Sequence, residues 1–253
     1  MLNILIPMGG VTDFDSEEYR YPKPLIEING KPLIEHVVAC LDRIKVEKRF
    51  IFIVNAADCQ KFHLDSVLRL ITEDRGIVIQ LEKETKGAAC SALMAIDSID
   101  NNDALMISNG DHIFDCDLNG VISEFDSRGV DAGTVCFDSV HPKWSFVRLD
   151  ENNKIIETAE KRPLSRNAIA GLYYFRHGSD FVRAAMKTIE KDASVNGRFY
   201  VAPALNELVL EGKNLEIHVI PASSYHNFYS PHKLKEYEDS LKNGMGNRSG
   251  AAG

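Results

Sequence analysis

The chain has 253 residues, 44% of them hydrophobic and 26% charged, a balance expected of a soluble globular protein that closes a core without disulfide or metal staples. Its 37 acidic residues outnumber 29 basic ones, for a formal net charge of -8, which argues against general nucleic-acid binding and against docking on an anionic membrane. No apolar run approaches the roughly 18–20 residues of a membrane span, and the first residues lack the basic n-region and cleavage site of a signal peptide, so no membrane insertion and a cytoplasmic location are expected.

The first half alternates strand and helix. Residues 2–7 are an apolar run of strand length, and residues 32–44 place Leu33, Val37, Leu41 and Ile44 on one helical face. Residues 50–54, Phe-Ile-Phe-Ile-Val, read as a strand buried on both faces. A weaker helix is expected over 60–70, a third strand over 77–81, a small-residue helix over 86–96 opened by Gly87, and a fourth strand over 104–108. This βαβα order predicts a parallel, doubly wound sheet with right-handed crossovers. In the second half, strands over 132–137, 145–150, 155–160 and 169–175 follow one another closely. Helices over 179–189 and 201–210 and a strand over 215–220 complete the series. Closely spaced strands predict antiparallel additions to the same sheet.

The expected fold class is therefore α/β, a Rossmann-like three-layer α/β/α sandwich with a mostly parallel central sheet and antiparallel strands added in its second half. One domain is expected over 1–242, divided into halves 1–125 and 126–242. Residues 243–253 carry four glycines and no apolar periodicity and read as a disordered tail. The five cysteines (Cys40, Cys59, Cys90, Cys116, Cys136) are odd in number and never in a C-x-x-C pair, so free thiols and no zinc site are expected. The eight histidines show no metal spacing. His36 and His63 read as surface or boundary residues.

In open α/β sheets ligands bind beyond the carboxyl ends of the strands. After the first strand stands Pro7-Met8-Gly9-Gly10, and after a polar stretch Tyr21-Pro22-Lys23-Pro24-Leu25. A Gly-Gly turn lets backbone N–H groups approach an anion, and a lysine between two prolines is held out of helix. Together they suit a polyphosphate cradle with its counter-cation, although alone they also fit a turn and a surface lysine. The third strand runs into Gln80, and Lys86-Gly87-Ala88-Ala89 opens a helix with little side-chain bulk. A flat base fits on that backbone with its edge read by Gln80. The competing reading is close helix–sheet packing. Asp111, after Asn109-Gly110, suits Mg²⁺, which prefers one or two carboxylates plus phosphate oxygens. Asp115-Cys116-Asp117 reads either as a D-x-D metal motif or as a helix N-cap at Asp117 before Leu118, Val121 and Phe125.

These places together resemble the sugar-phosphate nucleotidylyltransferases of GT-A-like α/β type. The resemblance spans roughly residues 2–240. It rests on residues 4–10, on Tyr21 to Glu27 with Gly30-Lys31-Pro32-Leu33-Ile34, on Thr85-Lys86-Gly87-Ala88-Ala89, on Asn109-Gly110-Asp111, and on Glu160-Lys161-Arg162-Pro163 with Ala170-Gly171-Leu172-Tyr173-Tyr174-Phe175. His-Pro-Lys-Trp-Ser-Phe at 141–146 is similar to the capsule- and surface-polysaccharide group. The resemblance implies that an NTP (CTP or another) and a phosphorylated small molecule, a sugar-1-phosphate first, give an NDP-linked product and pyrophosphate, with Mg²⁺ as cofactor. It makes 1–125 the nucleotide-binding half and 126–242 the acceptor-binding half. It implies Lys23 and Asp111 as catalytic residues and Met8, Gly9, Gly10, Lys23, Gln80, Gly87, Ala88, Asn109 and Asp111 around the nucleotide. His112, Trp144, Glu160, Lys161, Gly171 and Tyr200 fall around the acceptor, and Asp111 with Asn227 at the metal. Relatives are often dimers or tetramers, so a homo-oligomer is implied.

Two departures stand out. The family's first loop usually reads Gly-x-Gly-Ser/Thr-Arg, and here Thr12, Asp13 and Phe14 follow Gly10, so that loop lacks its cation; Arg20 is the substitute nearest in sequence. Where relatives carry an aspartate near the C-terminus as second metal ligand, this chain has Asn227, which offers an amide oxygen and no charge. Three other readings compete: a cytidylyltransferase for a non-sugar phosphate of phosphocholine or amino-acid phosphate type, a GT-A glycosyltransferase built on Asp115 and Asp117, and a degenerate relative that binds nucleotide without turnover.

Overall fold

Strand β1 (Leu2–Pro7) is buried from Leu2 to Ile6, as a strand must be when sheet neighbours and helices cover both its edges and both its faces. The structure, a computed structural model, describes residues 1–10, 14 and 20–246, with side chains to residue 241. A 3₁₀ turn at Lys23–Leu25 and a small hairpin of β2 (Glu27–Ile28) and β3 (Lys31–Pro32) lead into helix α1 (Leu33–Asp42). Strand β4 (Lys48–Asn55), helices α2 (Ala56–Phe62) and α3 (Leu64–Ile71), strand β5 (Ile77–Leu81), helices α4 (Ala88–Leu93) and α5 (Ile96–Ile99) and strand β6 (Ala104–Ser108) complete the first half. The second half holds β7 (His112–Phe114), α6 (Leu118–Ser127), β8 (Ala132–Asp138), β9 (Ser145–Leu149), β10 (Ile155–Glu160) and β11 (Asn167–Phe175). Helices α7 (Gly178–Glu190) and α8 (Val201–Leu210), strands β12 (Leu215–Val219) and β13 (Tyr225–Asn227) and helix α9 (Pro231–Gly246) follow.

Strands β6, β1, β4 and β5 lie side by side and parallel. The chain leaves β1 for β4 on one side and returns to β6 on the other, so the switch point lies beyond the carboxyl ends of β1 and β6. Strand β11 extends the sheet antiparallel to β6, and β8, β9, β10 and β12 join through it. On β1, Ile4 and Ile6 face one apolar layer with Val37, Phe52 and Phe125, whereas Leu5 faces the other with Ile51, Ile107 and Phe181. The period-two alternation of a strand thus supplies both cores of a three-layer α/β/α molecule.

Strand β11 changes partner along one edge. Asn167 and Ala168 pair with Val147 and Phe146 of β9, whereas Leu172 to Phe175 pair with Ser108 to Leu105 of β6. Its other edge stays with β8, with a register shift between Ile169 and Tyr173. Gly171 sits inside that shift at φ 73°, in the region that glycine enters without strain. The gap opens where β6 ends and β9 begins.

Three local expectations are corrected. The helix expected over 60–70 is two helices, α2 and α3, broken at His63, whose φ of 55° is left-handed. The helix expected over 86–96 begins at Ala88 and ends at Leu93, with α5 separate. The disordered tail expected over 243–253 does not begin at 243: α9 continues through Gly246, starting at a proline and docking Leu234, Tyr237 and Leu241 on the core. Residues 247–253 lie outside the described residues. The β7–β13 and β2–β3 pairs involve segments of two or three residues, too short to show periodicity in a sequence.

Candidate active site

Lys23 sits at the start of the 3₁₀ turn that the flanking prolines impose, and it is buried, with 8% of its surface exposed. Its ammonium makes an ion pair with Asp111 Oδ2 and lies 5.1 Å from the centre of the Phe14 ring. Asp111 follows β6, so the two residues meet at the switch point although 88 positions separate them. Burial opposes the charge on Asp111, but the neighbouring His112 and Lys23 outweigh it and hold the carboxyl below the usual range. His112 Nδ1 donates to the Ala170 carbonyl at 3.0 Å, and Nε2 lies 3.2 Å from Asp111 Oδ1. Burial pushes His112 below the ordinary histidine range although Asp111 pulls the other way. The Tyr225 ring meets the His112 ring edge-on at 5.2 Å.

Asn227 lies opposite His112 in the β7–β13 ladder, and the next amide, Phe228 N–H, donates to the Asp111 carbonyl at 3.0 Å. The Asn227 Oδ1 atom is buried and has no hydrogen-bond partner among the described residues. An orphaned amide oxygen on a strand tied to Asp111 fits a hard cation, because Mg²⁺ takes oxygen ligands and few carboxylates.

Two adjoining cavities open here. A cleft of about 190 Å³ is lined by Pro7, Gly9, Gly10, Gly87, Ala88 and Arg198 among others, and a cavity of about 320 Å³ by Asn109, Asp111, His112, Trp144, Glu160 and Gly171 among others. Ala88 and Tyr200 line both. Gly87 has φ 114°, and a Cβ there would stand 2.4 Å from the Phe199 carbonyl oxygen. Phe199 N–H donates to Lys86 O at 2.7 Å and Ala89 N–H to Phe199 O at 3.1 Å. These bonds clamp the glycine loop and carry the neighbouring Arg198 to the rim of the cleft. A Cβ on Gly171 would lie 2.6 Å from both Asn109 Nδ2 and His112 Nδ1, so glycine keeps the floor of the larger cavity open.

Glu160 and Ser145 face each other in the β9–β10 register, and the Ser145 hydroxyl donates to the Glu160 carboxylate. Burial raises the Glu160 pKa against the opposing effects of Ser145 and Lys161. Lys161 adopts a left-handed φ of 54°, its N–H donates to Trp144 O at 3.0 Å, and its ammonium donates to the Tyr200 hydroxyl at 3.0 Å. On the far wall Lys143 Nζ lies 4.6 Å from the Trp144 ring centre and 4.3 Å from that of Tyr229. Partial burial, with the nearby Lys233 adding to it, lowers the Lys143 pKa.

Of the residues singled out in the sequence, Gly9, Gly10, Gly87 and Ala88 line the smaller cleft, and Ala88, Asn109, Asp111, His112, Trp144, Glu160, Gly171 and Tyr200 line the larger cavity. Lys23 reaches the site through Asp111, and Lys161 through Tyr200. Gln80 does not join them. It lies inside β5 in register with Val54, is exposed and lines neither cavity, because the strand continues to Leu81. Met8 packs on the core and beneath Gly110 rather than lining either cavity. Thr12 and Asp13 lie outside the described residues, and Phe14 is a buried ring beside Lys23. Arg20 is exposed and lines neither cavity, whereas Arg198, absent from the sequence reading, lines the smaller one. Lys143, Ser145, Tyr173 and Tyr229 were also missed. The aromatic–basic clustering at 143–144 and 198–200 was the available signal. Asp117 caps α6 through the Asn119 amide, Asp115 accepts from His226 at 2.8 Å, and neither lines the two cavities.

Residues 19–214 match the family model described as nucleotidyl transferase. The chain is 27% identical over 212 residues to the bifunctional protein GlmU of Methanococcus maripaludis strain C7, a match covering 81% of this chain and 46% of that protein. It is 25% identical over 207 residues to the UTP–glucose-1-phosphate uridylyltransferase AglF of Haloferax volcanii, covering 77% of this chain and 78% of AglF. The chain thus spans less than half the length of its GlmU relatives, 42% for that of Methanococcus aeolicus. Among solved structures, the nucleoside-diphosphate-sugar pyrophosphorylase of Vibrio cholerae RC9 superposes with a TM-score of 0.80 at 24% identity, covering 93% of this chain and 99% of that one. A UDP-glucose pyrophosphorylase complexed with UDP-glucose gives 0.76 at 15% identity, covering 95% and 98%. At these identities the two structures show a shared fold.

Proposed function

The chain belongs to the nucleotidyl transferase family, and from that premise we propose that it transfers a nucleotidyl group from an NTP to a sugar-1-phosphate with release of pyrophosphate. The observation that carries this reading is the Lys23–Asp111 pair at the switch point, where two cavities meet at Ala88 and Tyr200. One cavity is shaped by glycine backbone, the other by polar and aromatic side chains, as two unlike substrates require.

In the proposed reaction an oxygen of the acceptor phosphate attacks the α-phosphorus. The new P–O bond forms as the bond to the β-phosphate bridge breaks, and pyrophosphate carries the electron pair away. The acceptor phosphate is already anionic, so no general base is needed, and the protein's work is alignment and charge neutralisation. Gly9, Gly10 and the Gly87 loop hold the nucleotide, Arg198 faces its phosphates, and the Lys23 ammonium offsets charge at the α-phosphate. Lys161 and Glu160 orient the acceptor over Gly171. Asp111 and Asn227 would hold Mg²⁺, which supplies further neutralisation of the phosphates when bound. The site of Asp115 and Asp117, away from both cavities, weighs against a glycosyltransferase.

We place the reaction in the supply of activated sugars for capsule or surface polysaccharide. The test is a pyrophosphate-release screen of the four NTPs, with Mg²⁺, against sugar-1-phosphates and small phosphomonoesters including phosphocholine. Release with a sugar-1-phosphate is expected. Release with phosphocholine alone would replace the acceptor class, and silence across the panel despite nucleotide binding would leave a binding protein.

A further inference from the structure

Most lysines with a described partner are neutralised by carboxylates: Lys31 by Glu35, Lys48 by Asp42, Lys154 by Glu216, Lys187 by Glu211, Lys191 by Glu207 and Lys213 by Asp180. Lys143 differs. It lines the acceptor cavity, yet among the described residues it forms no ion pair and no side-chain hydrogen bond. Its ammonium rests against the Trp144 and Tyr229 rings, 4.6 and 4.3 Å from their centres. Two aromatic faces position a cation without consuming its three N–H donors. The same wall holds a second unused polar group, the Tyr229 hydroxyl, which is buried without a hydrogen-bond partner among the described residues.

The other charges of the cavity are already engaged. Asp111 is matched by Lys23, and Glu160 takes the Ser145 hydroxyl. Lys161, the residue suited to the acceptor phosphate, projects toward Tyr200, while its backbone is bonded to that of Trp144. Lys143 and Lys161 therefore flank one hairpin edge, each on its own aromatic support: Trp144 and Tyr229 for Lys143, Tyr200 for Lys161. Because Lys143 and Lys161 rest on different aromatic groups, Lys143 offers the cavity an ammonium additional to the one assigned to the acceptor phosphate.

We propose that the acceptor carries a second anionic group, a carboxylate remote from its phosphate, and that Lys143 on its Trp144–Tyr229 support recognises it. This rests on the nucleotidyl-transfer reading above and narrows its substrate class to acidic sugar phosphates. The same geometry disfavours a quaternary-ammonium acceptor, because a protein cation already occupies the aromatic faces that such a ligand needs.

The probes are glucuronic acid 1-phosphate and glucose 1-phosphate, which differ at C6 by carboxylate against hydroxymethyl. Trp144 is the single tryptophan of the chain, so its fluorescence reports occupancy beside Lys143 without any turnover. Wild type is expected to bind the carboxylated probe about tenfold or more tightly, the scale of a hydrogen bond to a charged group. Lys143→Met should collapse the ratio of the two affinities toward one, and Lys143→Arg should keep most of it. Circular dichroism on each variant establishes that it is folded.

Equal affinities in wild type, or no saturable response to either probe, overturn the proposal. An equal loss for both probes in Lys143→Met also overturns it and gives Lys143 to the phosphate instead. The reading on which it rests fails separately. Pyrophosphate release from glucose 1-phosphate with no carboxylate advantage removes only the second-anion subsite. Selective binding of the carboxylated probe with no release from any NTP keeps the subsite and removes the reaction.

Discussion

A buried lysine paired with a half-buried aspartate is costly to desolvate and contributes little stability by itself; its value lies in an aligned charge. Lys23→Ala is expected to cut turnover by the equivalent of about 3–4 kcal/mol, the cost of removing a charge aimed at a transition state, with a smaller effect on nucleotide affinity. Steady-state pyrophosphate release measures both. Gly171→Ala drives a methyl into Asn109 and His112 at a positive φ, which should cost about 2 kcal/mol of stability, read by urea denaturation. Acceptor KM should rise with it. That Asp111, Gly87 and Gly171 stand at the two cavities, with Lys23 beside Asp111, was legible because each follows a strand or stands in an ordered family pattern. Arg198, Lys143 and Tyr229 were not, because one sequence does not show which loops return to the same rim. Gln80 was misplaced for a simpler reason: one further residue, Leu81, stays in the strand.

Elements with strong apolar patterns were read to the residue, as with β1, β5, β6, β10 and α8. Continuous Ile, Leu and Val runs between polar punctuation leave few alternatives. The break between α2 and α3 was invisible because nothing in His63 announces a left-handed backbone. Charge ties the end of α8 to the body of α7: Arg183 and Lys187 donate to Glu211, the residue that closes α8, at 2.7 and 2.9 Å. The Arg183 hydrogen bond is the main cause that lowers the Glu211 pKa to about 2. A carboxylate depressed in the folded state adds stability above its unfolded pKa and loses it as pH falls through the folded value. Glu211→Gln should therefore lower stability by about 0.5–1 kcal/mol at pH 7, the range of exposed ion pairs. The difference from wild type should close between the ordinary glutamate range and pH 2, as thermal melts across that interval will show.

At the scale of the molecule, the parallel half and the antiparallel half share one sheet. Strand β11 covers the edge of β6, and α7 and α8 belong to the same apolar layer as β1 and β4. Residues 1–125 expressed alone would expose that edge and half of a core. They are expected to aggregate, whereas 1–246 should remain monodisperse by size-exclusion chromatography. A soluble, cooperative 1–125 fragment would mean two folding units instead of one. The general architecture was legible from the order of strand and helix. The position of the larger cavity was not, because it depends on which neighbour β11 takes along each part of one edge.

Under the proposed reading, that partner exchange has a bearing on how such a protein acquires new substrates. Since β6 and β9 take successive stretches of one edge of β11, the β9–β10 ribbon can lengthen, shorten or trade its side chains while β1, β4, β5 and β6 keep their register. In the proposed reaction, selectivity for the molecule being activated would thus be decoupled from the chemistry of activation. A transplanted ribbon from a homologue is the natural way to retune one without disturbing the other.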